Sequence, residues 1–182
     1  MRNVGRWVLV AVTVTAFFLT VFSLKAEIVQ KCINLTDGFS IEFPEGWQIR
    51  ENPGKEISLI AFRPRVKADE VVFERLSVAT LEDAGEDSDP VLRERIASLE
   101  SGLNDFKLVT SGQETFPGFS SHFLVYTFTD NFITLKVLAK AKQWLVRLGG
   151  RTYLITGMAT IDSFPEYEAI FRKIAGSFRP AD

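Results

Sequence analysis

Apolar and polar positions alternate along most of this chain, and the period of the alternation marks its elements. Phe39, Ile41 and Phe43 alternate with Ser40 and Glu42, which predicts a strand with one buried face. Pro44 lacks an amide donor and ends that strand. Gly46 supplies the turn, and Trp47 is placed to fold back as a large apolar anchor. Residues 57–62 and 73–81 predict two more strands, separated by a charged loop at 65–71. The period then lengthens: Leu92, Ile96, Leu99 and Leu103 recur at helical spacing and form one apolar stripe. Asp89 is placed to cap this helix and Pro90 suits its first position. Arg93, Glu94, Arg95 and Glu100 fall largely on its solvent side.

The second half is β-rich. Residues 106–109 suggest a strand, Phe116-Pro-Gly-Phe119 a turn, and residues 119–128 a strongly β-prone run. Thr129-Asp-Asn131 reads as a tight turn. Residues 133–148 give a long strand pattern, bent or interrupted near 139–143. Gly149-Gly150 is a hairpin signal, after which 153–159 returns. Ser163-Phe-Pro-Glu166 has the spacing of a capping box and opens a helix with Phe164, Tyr167, Phe171 and Ile174 on one face. Gly176 ends it. Strands, helix, antiparallel strands, helix: this order predicts an α+β fold, an antiparallel sheet with segregated helices. The domain is expected over 38–182, with 27–37 as a short link before it.

The start of the chain follows a different pattern. Arg2 and Arg6 precede an uncharged run, residues 7–24, of 18 residues. This is the layout of a signal peptide, with residues 1–26 removed after Ala26, or of an uncleaved N-terminal membrane anchor. Either outcome places the remainder outside the cytoplasm, in the periplasm or secreted, with membrane contact only through 7–24 if the run is retained. Val29, Gln30 and Lys31 before Cys32 do not form a lipobox-like pattern.

The chain has 182 residues. Without residues 1–26 it keeps 18 basic and 23 acidic side chains, a formal charge of −5. An acidic domain argues against nucleic acid as a partner. A single cysteine, Cys32, cannot form an internal disulfide, so apolar packing, including sixteen phenylalanines, must hold the fold.

Candidate chemistry is sparse. His122 is the only histidine, which excludes a two-histidine metal site within one chain. It shares strand parity with Leu124, Tyr126 and Phe128, and reads as a hydrogen-bonded structural group, with a metal ligand or catalytic base as the alternative. Glu82, Asp83, Glu86, Asp87 and Asp89 form an acidic loop that offers oxygen ligands to calcium, but without the spacing of an EF-hand. A solvated loop is the simpler reading. Ser111, Ser120 and Ser121 lack the glycine-framed elbow of a nucleophile. Trp47, Trp144 and Tyr153 read as core aromatics rather than a ligand cage. No catalytic, cofactor-binding or metal residue is assigned, and no cofactor is expected.

Three segments carry a resemblance: Phe39-Ser-Ile-Glu-Phe-Pro-Glu-Gly-Trp47, Gly150-Arg-Thr-Tyr-Leu-Ile-Thr-Gly157, and Ser177-Phe178-Arg179 after the last helix. In order and spacing they resemble the PsbP-like family, over roughly residues 37–180. That fold group includes bacterial periplasmic proteins, extrinsic photosystem II subunits of the chloroplast lumen and nuclear Ran-binding relatives. The resemblance implies an antiparallel sheet flanked by helices in an α/β/α sandwich, and it does not imply catalysis. The chain lacks a chloroplast transit signature, so the photosynthetic role is not transferred. The expectation is a non-enzymatic extracytoplasmic binding or assembly protein acting on an envelope or membrane protein. The alternative is a periplasmic metal- or small-ligand-binding protein.

Overall fold

The computed structural model describes residues 29–54, 56–67, 70–81, 88–132 and 135–181, with residues 88, 89 and 132 described by backbone alone. The uncharged run at 7–24 and most of the acidic loop, Glu82, Asp83, Glu86 and Asp87, therefore lie outside the described residues, as does the side chain of Asp89.

The alternation around Phe39 forms the expected strand, β2 (Phe39–Pro44), with Phe39, Ile41 and Phe43 fully buried. The preceding stretch, read as a link, instead carries a strand of its own. β1 (Val29–Asn34) pairs antiparallel with β2, from Val29 opposite Pro44 to Asn34 opposite Phe39. It alternates too, but only Cys32 and Asn34 turn inward, so few apolar positions mark it. A two-residue strand near the end of the chain, Arg179–Pro180, joins the other side of β2.

The main sheet contains the other strands. In chain order they are β3 (Gln48–Glu51), β4 (Leu59–Phe62), β5 (Arg75–Leu81), β6 (Asn104–Phe116), β7 (Phe119–Phe132), β8 (Leu135–Leu148) and β9 (Arg151–Thr160). Among the described residues they lie in the order β3-β4-β5-β9-β8-β7-β6, and every pairing is antiparallel. The chain leaves β5 through α1 (Ser88–Gly102), then folds back as a meander whose last strand lies beside β5. The last helix, α2 (Phe164–Gly176), precedes the final short strand, β10. The class is α+β.

Several local expectations need correction. Thr129, Asp130 and Asn131 are not a turn: they continue β7, paired with Leu138, Val137 and Lys136. β8 runs without interruption through Ala139–Gln143, because small Ala139 and Ala141 fit beneath α1 while Lys140 and Lys142 occupy the other face. β6 extends to thirteen residues, its polar length supported by β7 pairing and interrupted by two irregularities. α1 begins at Ser88, so Asp89 stands within its first turn rather than before it. Ser163 does precede α2, but its hydroxyl does not cap the helix. It donates to the Glu74 carboxylate at 2.8 Å instead.

Successive residues of a strand face opposite sides, so each face builds its own core. On one side, Trp144, Val146, Tyr153 and Ile155 pack with Phe171 and Ile174 of α2 and with Phe39, Ile41 and Phe43 of the small sheet. On the other, Leu124, Tyr126, Phe128, Ala139 and Ala141 pack against Leu99, with Leu92, Ile96 and Leu103 partly buried around them. The apolar stripes expected on both helices are thus the faces that dock.

Candidate functional site

α1 covers only part of its sheet face. Its apolar stripe sits over β7 and β8, leaving the inward side chains of β5 and β9 at the floor of an open groove of about 730 Å³. Strand register sets the floor in rows. Ser77, Thr156, Gln143 and Leu124 lie across from one another, and Arg75, Met158, Ala141 and Tyr126 form the adjacent row. Leu99 of α1 and Leu103 just after it make the wall.

A polar chain links wall and floor. Arg95 Nε donates to Gln143 Oε1 at 2.8 Å, and Gln143 Nε2 donates to Thr156 Oγ1 at 2.7 Å. Gln143 is only 3% exposed, so both bonds satisfy groups that water cannot reach. Arg95 thus leans onto the sheet instead of facing solvent. At the rim, Arg75 pairs with Asp130 at 3.0 Å, and its guanidinium stands 4.9 Å from the Phe73 ring centroid. Tyr126 lies between Phe106 and Phe128, with ring centroids 5.5 and 5.9 Å away. Burial pushes its hydroxyl up to about 12, although the charge of Arg95 pulls the other way. Sequence reasoning missed this constellation. Its one signal was Gln143, a neutral polar residue inside an otherwise strand-like run.

His122 lies on the same face, one step beyond Leu124. It is half-buried, with Nε2 3.2 Å from Gln113 Nε2, and it lines a shallow cavity of about 190 Å³ with Ser120, Ser121, Leu145 and Arg147. The neighbouring hydroxyls are engaged elsewhere. Ser120 meets Thr115 at 3.4 Å, and Ser121 donates to the Glu114 carbonyl at 3.4 Å. No carboxylate among the described residues orients the imidazole. Nor do the described residues contain a group of three or more His, Cys, Asp or Glu side chains arranged to hold a metal ion.

Trp47, Trp144 and Tyr153 are buried packing groups. Trp47 lies tilted against Phe43 and meets Phe171 edge-on, and Tyr153 donates to the Asp37 carbonyl at 2.8 Å. Trp144 Nε1 donates to Glu114 Oε2 at 2.8 Å, and the same carboxylate pairs with Lys142 at 3.0 Å and with Arg172 of α2. Burial alone would raise the Glu114 carboxyl, but bonds from Trp144, Arg172 and Lys142 outweigh it and hold the group below its ordinary value. Cys32 is a free, buried thiol, raised to about 11 by burial and by the Glu51 carboxylate beside it. These groups tie elements together, and each is already occupied.

No protein-family model matches the chain, and no match is found among curated proteins. Solved structures do match. Cyanobacterial PsbP (CyanoP) of Synechocystis is 18% identical, with 87% of this chain and 95% of that one covered and a TM-score of 0.56. The Ran-binding protein Mog1p of Saccharomyces cerevisiae is 13% identical, covering 86% of this chain and 97% of its own, again at 0.56. LpqN of Mycobacterium tuberculosis, described as involved in cell envelope biogenesis, is 14% identical over 85% and 92% of the two chains, at 0.55. The chain has the PsbP-like fold. Among the described residues, no helix is long and apolar enough to cross a membrane.

Proposed function

We propose that this chain is a non-catalytic binding or assembly protein that works outside the cytoplasm on an envelope protein partner. The helices on opposite faces of the main sheet support reading the domain as an α/β/α sandwich, with the small sheet added to the α2 layer. The export-type start and the likeness to LpqN support an envelope setting. The likeness to a Ran-binding protein supports a role in protein recognition.

The observation that carries the reading is an apolar patch at one end of the main sheet. Ile161 continues β9 and donates its amide to the Leu138 carbonyl at 3.0 Å, so the two side chains are cross-strand neighbours. They are 38% and 50% exposed. An exposed apolar pair at a sheet end is the kind of surface a partner covers.

A photo-crosslinking residue at Leu138 should give one discrete adduct with an envelope protein, and the same group at exposed Arg93 on α1 should not. Leu138→Asp should fold and fail to complement a deletion strain, while His122→Gln should fold and complement. Equal labelling from both sites, or full complementation by Leu138→Asp, would overturn the reading. A reporter fused after Asp182 tests the compartment: activity that requires the cytoplasm would exclude an envelope role.

A second reading, a small-ligand-binding protein, is favoured by the groove beside α1.

A further inference from the structure

The groove beside α1 has more hydrogen-bonding capacity than the fold uses. Arg95 spends Nε on Gln143, a neutral partner, and makes no other hydrogen bond among the described residues. Its terminal nitrogens, which carry most of the remaining donor capacity, are left over. Tyr126 is 2% exposed and lines the same groove, yet among the described residues its hydroxyl has no hydrogen-bond partner. Its ring is fixed by Phe106 and Phe128, and its hydroxyl is not sealed off but meets the open groove. Arg95 is close enough for its charge to act on that hydroxyl. Ser77, in the row containing Thr156 and Gln143, adds a third donor to the same floor.

The rest of the lining limits what fits. Arg75 and Asp130 neutralise one another. Glu56 also lines the groove, but it forms no ion pair with Arg95, which is held only by a neutral side chain and so marks the place where a negative charge would sit. Leu99, Leu103, Leu154, Phe128 and Met158 offer an apolar track beside the donors. The volume of about 730 Å³ falls within the usual range for small-molecule sites.

We propose that this groove binds a single anionic head group, a carboxylate or a phosphate ester, carried on an aliphatic chain. Arg95 supplies the charge, Tyr126 and Ser77 donate to the remaining oxygens, and the tail follows the apolar track. The site differs from the patch at Leu138 and Ile161 and does not depend on it.

The test uses the full chain, purified as the cell produces it and labelled with fluorotyrosine. Its three tyrosines, Tyr126, Tyr153 and Tyr167, give three fluorine resonances, and only Tyr126 lines the groove. Octanoate and octyl phosphate are titrated separately, with octyl glucoside as the neutral control carrying the same tail. At least one anion should shift the Tyr126 resonance saturably while Tyr153 and Tyr167 stay still. Arg95→Gln should weaken that binding at least about tenfold, as expected for a lost charge-assisted contact. Arg95→Lys, which keeps the charge, should bind better than Arg95→Gln. Tighter binding of octanoate would point to a free fatty acid, and tighter binding of octyl phosphate to a phospholipid-derived head. Absence of a saturable shift with either anion, or an equal shift with octyl glucoside, would overturn the proposal without need of any variant. So would unchanged affinity in a folded Arg95→Gln protein.

Discussion

Gly157 owes its place on β9 to Phe171. A Cβ built at this position would stand 2.5 Å from Phe171 Cγ and 2.8 Å from its Cβ. The aromatic side chain lies flat against bare backbone, which lets α2 approach the sheet. Gly157→Ala must therefore push a fully buried ring, and should cost about 1–3 kcal/mol in urea unfolding, as overpacking does. Trp47 is the opposite case, a side chain whose bulk is required. It closes the end of β2 over Phe43 and Phe171 and is 6% exposed. Trp47→Ala should cost about 3–5 kcal/mol in the same measurement. Cys32 shows how burial silences a reactive group. With its thiol raised to about 11, almost no thiolate exists at neutral pH. An aromatic disulfide reagent added near pH 8 should react with Cys32 only after unfolding, and rapid reaction in the native state would contradict its placement.

At the scale of elements, what could be read from the sequence depended on how a residue's surroundings are built. Elements that bury one clean face were legible: β2, both helices, and the Gly149-Gly150 turn between β8 and β9. Elements that depend on distant partners were not. β1 has only two inward residues and exists because β2 offers an edge. The end of β7 carries turn-prone Asp130 and Asn131, but Asp130 is held by Arg75 from β5, 55 positions away in sequence. Ser163 has the spacing of a cap and is drawn off by Glu74. The groove was hidden for the same reason, since Arg95 sits at the margin of its helix stripe and its partner is on β8. Glu114 gives a measurable consequence at this scale, because it fastens β6 to β8 and α2 at once. Its carboxyl is held below the ordinary 4.5, so the stabilisation is fully present above that value and is lost as pH falls through the lower native value. The melting temperature should therefore decline with acid below about pH 4.5. In Glu114→Gln the melting temperature should be lower at neutral pH and the acid decline shallower. An identical acid profile in the variant would remove Glu114 from the account.

At the scale of the whole molecule, the two ends of the described chain meet at one strand. β1 and β10 lie on either side of β2, and both run antiparallel to it. Val29 enters beside Pro44, while Pro180 leaves beside Phe39, at the opposite end of the same strand. A pull between the two ends therefore acts along the strands. It must slide β1 or the two-residue β10 along β2, loading the rungs of that pair together instead of opening them one at a time. Force applied between the two described ends would meet the small sheet in shear. Single-molecule extension from Val29 to Ala181 should show a higher rupture force than extension between Val29 and Phe43, where the same ladder opens rung by rung. Equal forces in the two geometries would mean that the small sheet does not bear the strain.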